Sequence, residues 1–123
     1  MAGSIKHILS KDAGLKVNGS LWIEKDGERF FGPGPVELLQ LIADTGSISK
    51  AAKKMGMSYK KAWEMINKLN SQTIAPVVIV QSGGKKGGGS LLTKEALQLI
   101  EFYRISRERF ANFLKSETEM LKI

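Results

Sequence analysis

The segment that most constrains this chain runs from Thr45 to Asn70, TGSISKAAKKMGMSYKKAWEMINKLN. Its first half places Ile48, Ala51, Ala52 and Met55 at spacings of three and four, the period of one helix face. Ser47 precedes them, and its hydroxyl can accept from a free backbone N–H at a helix start. Gly56 follows, where a left-handed turn costs little. A second stripe of Tyr59, Ala62, Trp63, Ile66 and Leu69 begins after Ser58, another good cap, and runs to about Ser71. Lys60, Lys61, Glu64, Asn67 and Lys68 lie largely off that stripe. Two short helices, small alanines at their crossing and a glycine turn predict a helix-turn-helix. That motif holds its second helix so that the N-terminal residues enter the major groove of DNA.

The flanking sequence adds a wing. Pro76 excludes helix, and Val77-Val78-Ile79-Val80 is a β-branched strand. Gly83 to Gly89 reads as a loop carrying Lys85 and Lys86, and Ser90-Leu91-Leu92 as a short return strand. Upstream, residues 15–31 read as β structure. Leu21-Trp22-Ile23 is a strand, Lys25-Asp26-Gly27-Glu28 a hairpin turn, and Arg29-Phe30-Phe31 the return. Gly32-Pro33-Gly34-Pro35 breaks the chain before a short, largely buried helix over Val36–Asp44, with Pro35 suited to its first turn. Thr93 can cap a last helix from Lys94 to about Glu119. The expected fold is mainly α with a small β component: a winged helix-turn-helix with an N-terminal β-hairpin and a long C-terminal dimerisation helix. The expected division is a poorly ordered tail over 1–14, the winged domain with its hairpin over 15–92, and the C-terminal helix over 93–123.

Charge points to the same segment. The net charge is +7, so an anionic partner fits, but its placement says more. Residues 1–34 carry five Lys/Arg against four Asp/Glu, and residues 93–123 six against five. Residues 35–92 carry eight against three, so the surplus sits on the helix-turn-helix and wing. The absence of cysteine excludes disulfides and thiolate metal sites, and the lone His7, in the tail, excludes a multi-histidine site within one chain. No apolar run approaches the ~20 residues that span a bilayer. The N-terminus lacks the apolar stretch of a signal peptide, so no membrane partner and a cytoplasmic location are expected.

Catalysis finds little support. GGKKGGGS places both lysines before the final glycines and joins two strands, unlike a Walker phosphate loop. Gly32-Pro33-Gly34 begins like GxGxxG, but Glu37 holds the third glycine position. No catalytic residue, metal ligand or cofactor is expected. The candidate chemistry is phosphate and base contact. Lys50, Lys60 and Lys61 lie in the first turns of the two helices, whose free N–H groups and dipoles favour phosphate. Lys60 and Lys61 can read guanine edges or touch phosphate only. Ser58 can cap, contact phosphate, or both. Tyr59 can pack at the helix start or touch the backbone. Trp63 reads as core beside Ala62 and Ile66, and Glu64 as an exposed surface charge.

These residues resemble the N-terminal DNA-binding domain of the ModE family, the molybdate-responsive bacterial regulators. The matching segments are TGSISKAAKKMGMSYKKAWEMINKLN and GGKKGGGSLLT, with LWIEKDGERFFGPG as a lead-in. The resemblance covers roughly residues 15–115. It implies a winged helix related to the LysR-type DNA-binding domain, dimerising through a long helix, in a bacterial transcription regulator. By matching position it implies contacts from Ser47, Ser49, Ser58, Tyr59, Lys60 and Lys61, and from wing residues Lys85 and Lys86. Full-length members also carry a C-terminal oxyanion-binding region. Residues up to Ile123 contain none, so a stand-alone DNA-binding unit is expected, without molybdate binding of its own.

The last helix would be about 39 Å long at 1.5 Å per residue. Its apolar residues occupy more than one stripe, including Leu97, Phe102, Ile105, Phe110, Phe113 and Leu114. One face can pack on its own domain, and the other then needs a partner. A symmetric dimer supplies it and sets two reading helices about one DNA turn, or a multiple of it, apart. The expected function is therefore sequence-specific binding of double-stranded DNA as a homodimer. The competing reading is a protein-interaction adaptor, with the winged helix as scaffold and the long helix as partner surface.

Overall fold

Local sequence sets each element of the computed structural model, which describes residues 3–11, 14–81 and 89–122. The first hairpin pairs β1 (Ile23–Lys25) antiparallel with β2 (Glu28–Phe31), with a register irregularity between Ile23 and Glu24. Asp26 and Gly27 form its turn with φ of 51° and 81°, the pair of positive values that a tight type I′ hairpin needs. The strand starts two residues later than the sequence suggests. Trp22 is drawn aside, its indole N–H donating to Glu24 at 2.7 Å and its ring lying 3.8 Å beneath the Arg29 guanidinium.

Three helices follow. α1 (Pro33–Thr45) starts at the first proline of the Gly-Pro pair, because a proline at a helix N-terminus forfeits no hydrogen bond. Gly46 stops it at φ 69°, its N–H donating to Ile42 O at 2.7 Å. α2 (Ile48–Lys54) is capped by the Ser47 hydroxyl, which accepts from Lys50 N–H at 3.1 Å. Gly56, at φ 69°, turns the chain, and α3 (Tyr59–Asn70) is capped by Ser58, whose hydroxyl accepts from Lys61 N–H at 3.0 Å.

At the far end of α3 the Asn70 side-chain oxygen accepts from Val77 N–H at 2.8 Å and fixes the entry into the wing. The wing pairs β3 (Val78–Gln81) antiparallel with β4 (Gly89–Leu92), Val78 opposite Leu92 and Gln81 opposite Gly89. Thr93 closes it: its hydroxyl donates to Pro76 O at 2.7 Å and accepts from Ala96 N–H at 3.2 Å, capping α4 (Lys94–Glu119).

The chain divides into two compact units. Residues 22–103 form one, and its core collects Phe31, Leu38, Leu39, Ile42, Ala51, Ala62, Ile66, Leu69 and Val77, all fully or almost fully buried. Phe31 meets Tyr103 edge-on at 5.9 Å. Ala51 and Ala62 have no solvent exposure, as the close crossing of α2 and α3 demands. The architecture is the expected one: mainly helical, with an N-terminal hairpin, a helix-turn-helix, a wing and a long C-terminal helix.

The other unit comprises the terminal segments, up to Leu21 and from Arg104. The expected tail contains one 3-10 turn, Lys6–Ile8, with His7 exposed on it. Val17 N–H donates to the Thr118 hydroxyl at 3.0 Å, and that hydroxyl donates to Leu114 O at 2.8 Å. Gly19 lies so close to Phe110 that a Cβ there would stand 3.2 Å from its ring. Lys122 bonds Glu119 at 2.9 Å and holds that carboxyl below its usual pKa.

Candidate nucleic-acid interface

The residues expected to contact DNA lie on α2, α3 and the wing, and a cleft forms where these elements come together. Because a cap side chain must reach back to its own helix, Ser47 and Ser58 mark the starts of α2 and α3, with Ser49, Lys50, Tyr59, Lys60 and Lys61 in the first turns. Ser49, Lys50, Ser58, Tyr59, Lys60 and Lys61 are exposed, and Ser47 is half-buried. The buried stripe of α3 is Ala62, Ile66 and Leu69, so the N-terminal turn carries its polar and charged groups outward.

A cleft of about 260 Å³ opens between the start of α2, the start of α3 and the wing strands. Ser47, Ser49 and Tyr59 line it together with Trp63, Val80 and Gln81. Three of the residues expected to contact DNA are thus brought to one place. Lys60 and Lys61 lie exposed on α3 and do not line the cleft. Lys50 lies over a separate hollow with Thr45, Lys53 and Lys54. Lys85 and Lys86 fall outside the described residues.

Two placements differ from the sequence reading. Trp63 is half-buried rather than core: one part packs against the hydrophobic centre and another faces the cleft. Tyr59, read either as packing at the helix start or as touching the backbone, packs on Trp63 and still leaves much of its surface open. It is 54% exposed, and its ring meets Trp63 at right angles with centroids 6.3 Å apart. The i, i+4 spacing of this pair was visible in the sequence, but an aromatic at the margin of a helical stripe reads as core until its neighbours are known. Lys53 and Lys54 were also passed over, although their spacing from Lys50 puts all three cations on one side of α2. Lys68 faces away, 3.9 Å from Glu28 on the first hairpin.

Among the described residues no group of His, Cys, Asp or Glu could hold a metal ion, and no helix is long and apolar enough to cross a membrane.

Comparison with known proteins agrees with this geometry. The model of the family described as bacterial regulatory helix-turn-helix protein, lysR family, matches residues 35–96, from the first residues of α1 to the start of α4. The molybdenum-pterin-binding protein MopB of Rhodobacter capsulatus is 41% identical over 101 residues, 82% of this chain and 37% of that protein. The DNA-binding transcriptional dual regulator ModE of Escherichia coli K12 is 45% identical over 74 residues, 60% of this chain and 28% of the regulator. The molybdenum transport protein ModE of Azotobacter vinelandii is 35% identical over 86 residues, 70% and 32% of the two chains. The chain spans about a third of the length of these relatives. Since the family match takes in half of its length, the chain belongs to the lysR family of bacterial regulatory helix-turn-helix proteins, and its helix-turn-helix is a DNA-binding domain with relatives among the ModE and MopB proteins.

Proposed function

We propose that the protein is a bacterial transcription regulator that binds a two-fold symmetric duplex site as a homodimer. The first turn of α3 enters the major groove, with Lys60 and Lys61 at or beside the base edges. Ser47, Ser49, Lys50 and Ser58 engage the backbone around it, Tyr59 contacts the duplex beside them, and Lys85 and Lys86 grip flanking phosphate. The observation that carries the reading is the exposure of Ser58, Tyr59, Lys60 and Lys61 as one continuous turn beside the wing, while Ala62 and Ile66 directly behind them are fully buried. Residues that pack no core and stand at a capped, electropositive helix end suit a polyanion.

The dimer is supported by α4, which leaves Phe102 and Phe113 more than half exposed. Rings of that size on a helix surface are covered at low cost by the same helix of a second copy.

Gel-shift titrations at several salt concentrations test the reading. Lys60→Ala/Lys61→Ala is expected to weaken binding and change sequence preference, and Lys85→Ala/Lys86→Ala to weaken binding to all sequences alike. Each lost phosphate contact should reduce the salt slope by about 0.9. Unchanged affinity in both double variants would sink the reading. Absent duplex binding, together with a heteromeric complex held by α4, would favour a protein-interaction adaptor instead.

A further inference from the structure

The cleft between α3 and the wing holds more apolar surface than phosphate contact needs. Tyr59 stands at the first position of the reading helix and is 54% exposed, and across the cleft Val80 is 53% exposed. Trp63, one turn further along α3, contributes its half-buried ring. The perpendicular packing of Tyr59 on Trp63 at 6.3 Å holds the tyrosine ring in place, so little side-chain freedom remains to be lost on binding. Among the described residues the Tyr59 hydroxyl has no hydrogen-bond partner.

In the major groove one base carries an apolar knob, the C5-methyl of thymine, where cytosine has only a C5–H; the other features that tell bases apart are donors and acceptors. We propose that the Tyr59–Trp63 pair, with Val80 opposite, forms a notch that takes a thymine methyl group and makes this protein select thymine at that step of its site. The inference rests on the duplex-binding reading above and adds a sequence-reading element to it. The division of labour is physical. Lys60 and Lys61 flank the notch and attract the polyanion whatever its sequence, whereas a fixed aromatic edge gains only where a methyl is there to be buried. Burying one such carbon is worth roughly fourfold in affinity, from about 0.8 kcal/mol per methylene. Perpendicular rings do not offer the flat platform on which unpaired bases stack.

Deoxyuridine differs from thymidine in lacking this methyl alone, so it isolates the contact. A duplex that the full chain binds is first selected from a random library, and each thymine is then replaced in turn by deoxyuridine. At one or two thymines per half-site the replacement should weaken wild-type binding about fourfold. In Tyr59→Ser that penalty, read as the ratio of thymidine to deoxyuridine affinity within the variant whatever its overall affinity, should fall to below twofold, and Trp63→Leu should act in the same direction. Tyr59 is exposed, so Tyr59→Ser decides the matter even if Trp63→Leu fails to fold. A selected site without thymine, deoxyuridine tolerated everywhere, or a penalty undiminished in Tyr59→Ser would overturn the proposal while leaving duplex binding intact. Failure to select any duplex would remove the DNA-binding reading itself. Tighter binding of the single strand than of the duplex would make the pair a stacking platform and overturn the notch.

Discussion

The backbone N–H of Ser90 donates to the carbonyl oxygen of Gly46 across 2.9 Å. Ser90 lies in the second wing strand, and Gly46 is the residue that ends α1 just before the Ser47 cap of α2. Ser90 is almost fully buried, so on the donor side water competes little with this bond, which ties the wing to the start of the helix-turn-helix. The two sides of the cleft are therefore joined, and the acceptor residue is a glycine in the left-handed region, at φ 69°.

Glycine substitutions at the two ends of α1 should consequently differ in cost. Gly46→Ala forces an L-residue into left-handed geometry and should cost about 1–2 kcal/mol. Gly34→Ala lies within the first turn of α1, where the new Cβ would meet Met65 Cε at 3.7 Å, an ordinary contact. Its gain through the unfolded state is offset by Pro35, which crowds the Cβ of a helical residue before it, so stability should stay within about 0.5 kcal/mol of the wild type. Thermal unfolding of the two variants beside the wild type checks the difference.

Ser58 separates capping from anion binding. Aspartate caps a helix as well as serine does, and Ser58→Asp should leave thermal stability within about 0.5 kcal/mol. Its new negative charge at the start of α3 should lower DNA affinity by at least about tenfold, since like charge meets phosphate at close range. Ser58→Ala should cost about 1 kcal/mol of stability and lower affinity less than Ser58→Asp does. Calorimetry and gel shift on both variants measure the two effects independently.

In the unit formed by the chain ends the Thr118 side chain clamps the Val17 backbone. Thr118→Val keeps the shape of the side chain but removes the oxygen that accepts from Val17 N–H. A hydrogen bond with a net worth of about 1 kcal/mol corresponds to roughly fivefold in amide protection. Hydrogen exchange at Val17 should accelerate by about that factor, while exchange at core amides such as those of Ile42 and Ile66 stays unchanged.

Phe113 tests the dimer. It is 56% exposed in the single chain, so Phe113→Glu should leave the fold intact. It should shift sedimentation from a dimer to a monomer, and the loss of the second half-site should weaken binding to a symmetric duplex far more than to a half-site. A variant that remains dimeric would move the contact away from this face of α4.

The order of elements was legible in the sequence because capping and turn chemistry are local. Ser47, Ser58 and Thr93 each cap the helix expected of them, and Gly46 and Gly56 stop the helices where a left-handed residue is needed. α4 likewise keeps its expected limits, Lys94 and Glu119. What sequence could not supply was contact between distant segments. The Ser90–Gly46 bond joins residues far apart in the chain, and the Val17–Thr118 bond spans 101 positions, so no periodicity announces either. Trp63 packs against the core as expected, but its partial exposure escaped the pattern for the same reason. Its place on the stripe of α3 is local, but whether its outer edge is covered depends on how close the wing comes.

In the proposed complex the first turn of α3 lies in the major groove of a duplex, once in each half-site. Methylation interference at guanine N7, an atom exposed only in that groove, tests this most directly. Duplexes bound by the protein should be depleted of methylated guanines in two patches about one helical turn, or a multiple of it, apart. The same methylation pattern in bound and free duplexes would contradict it.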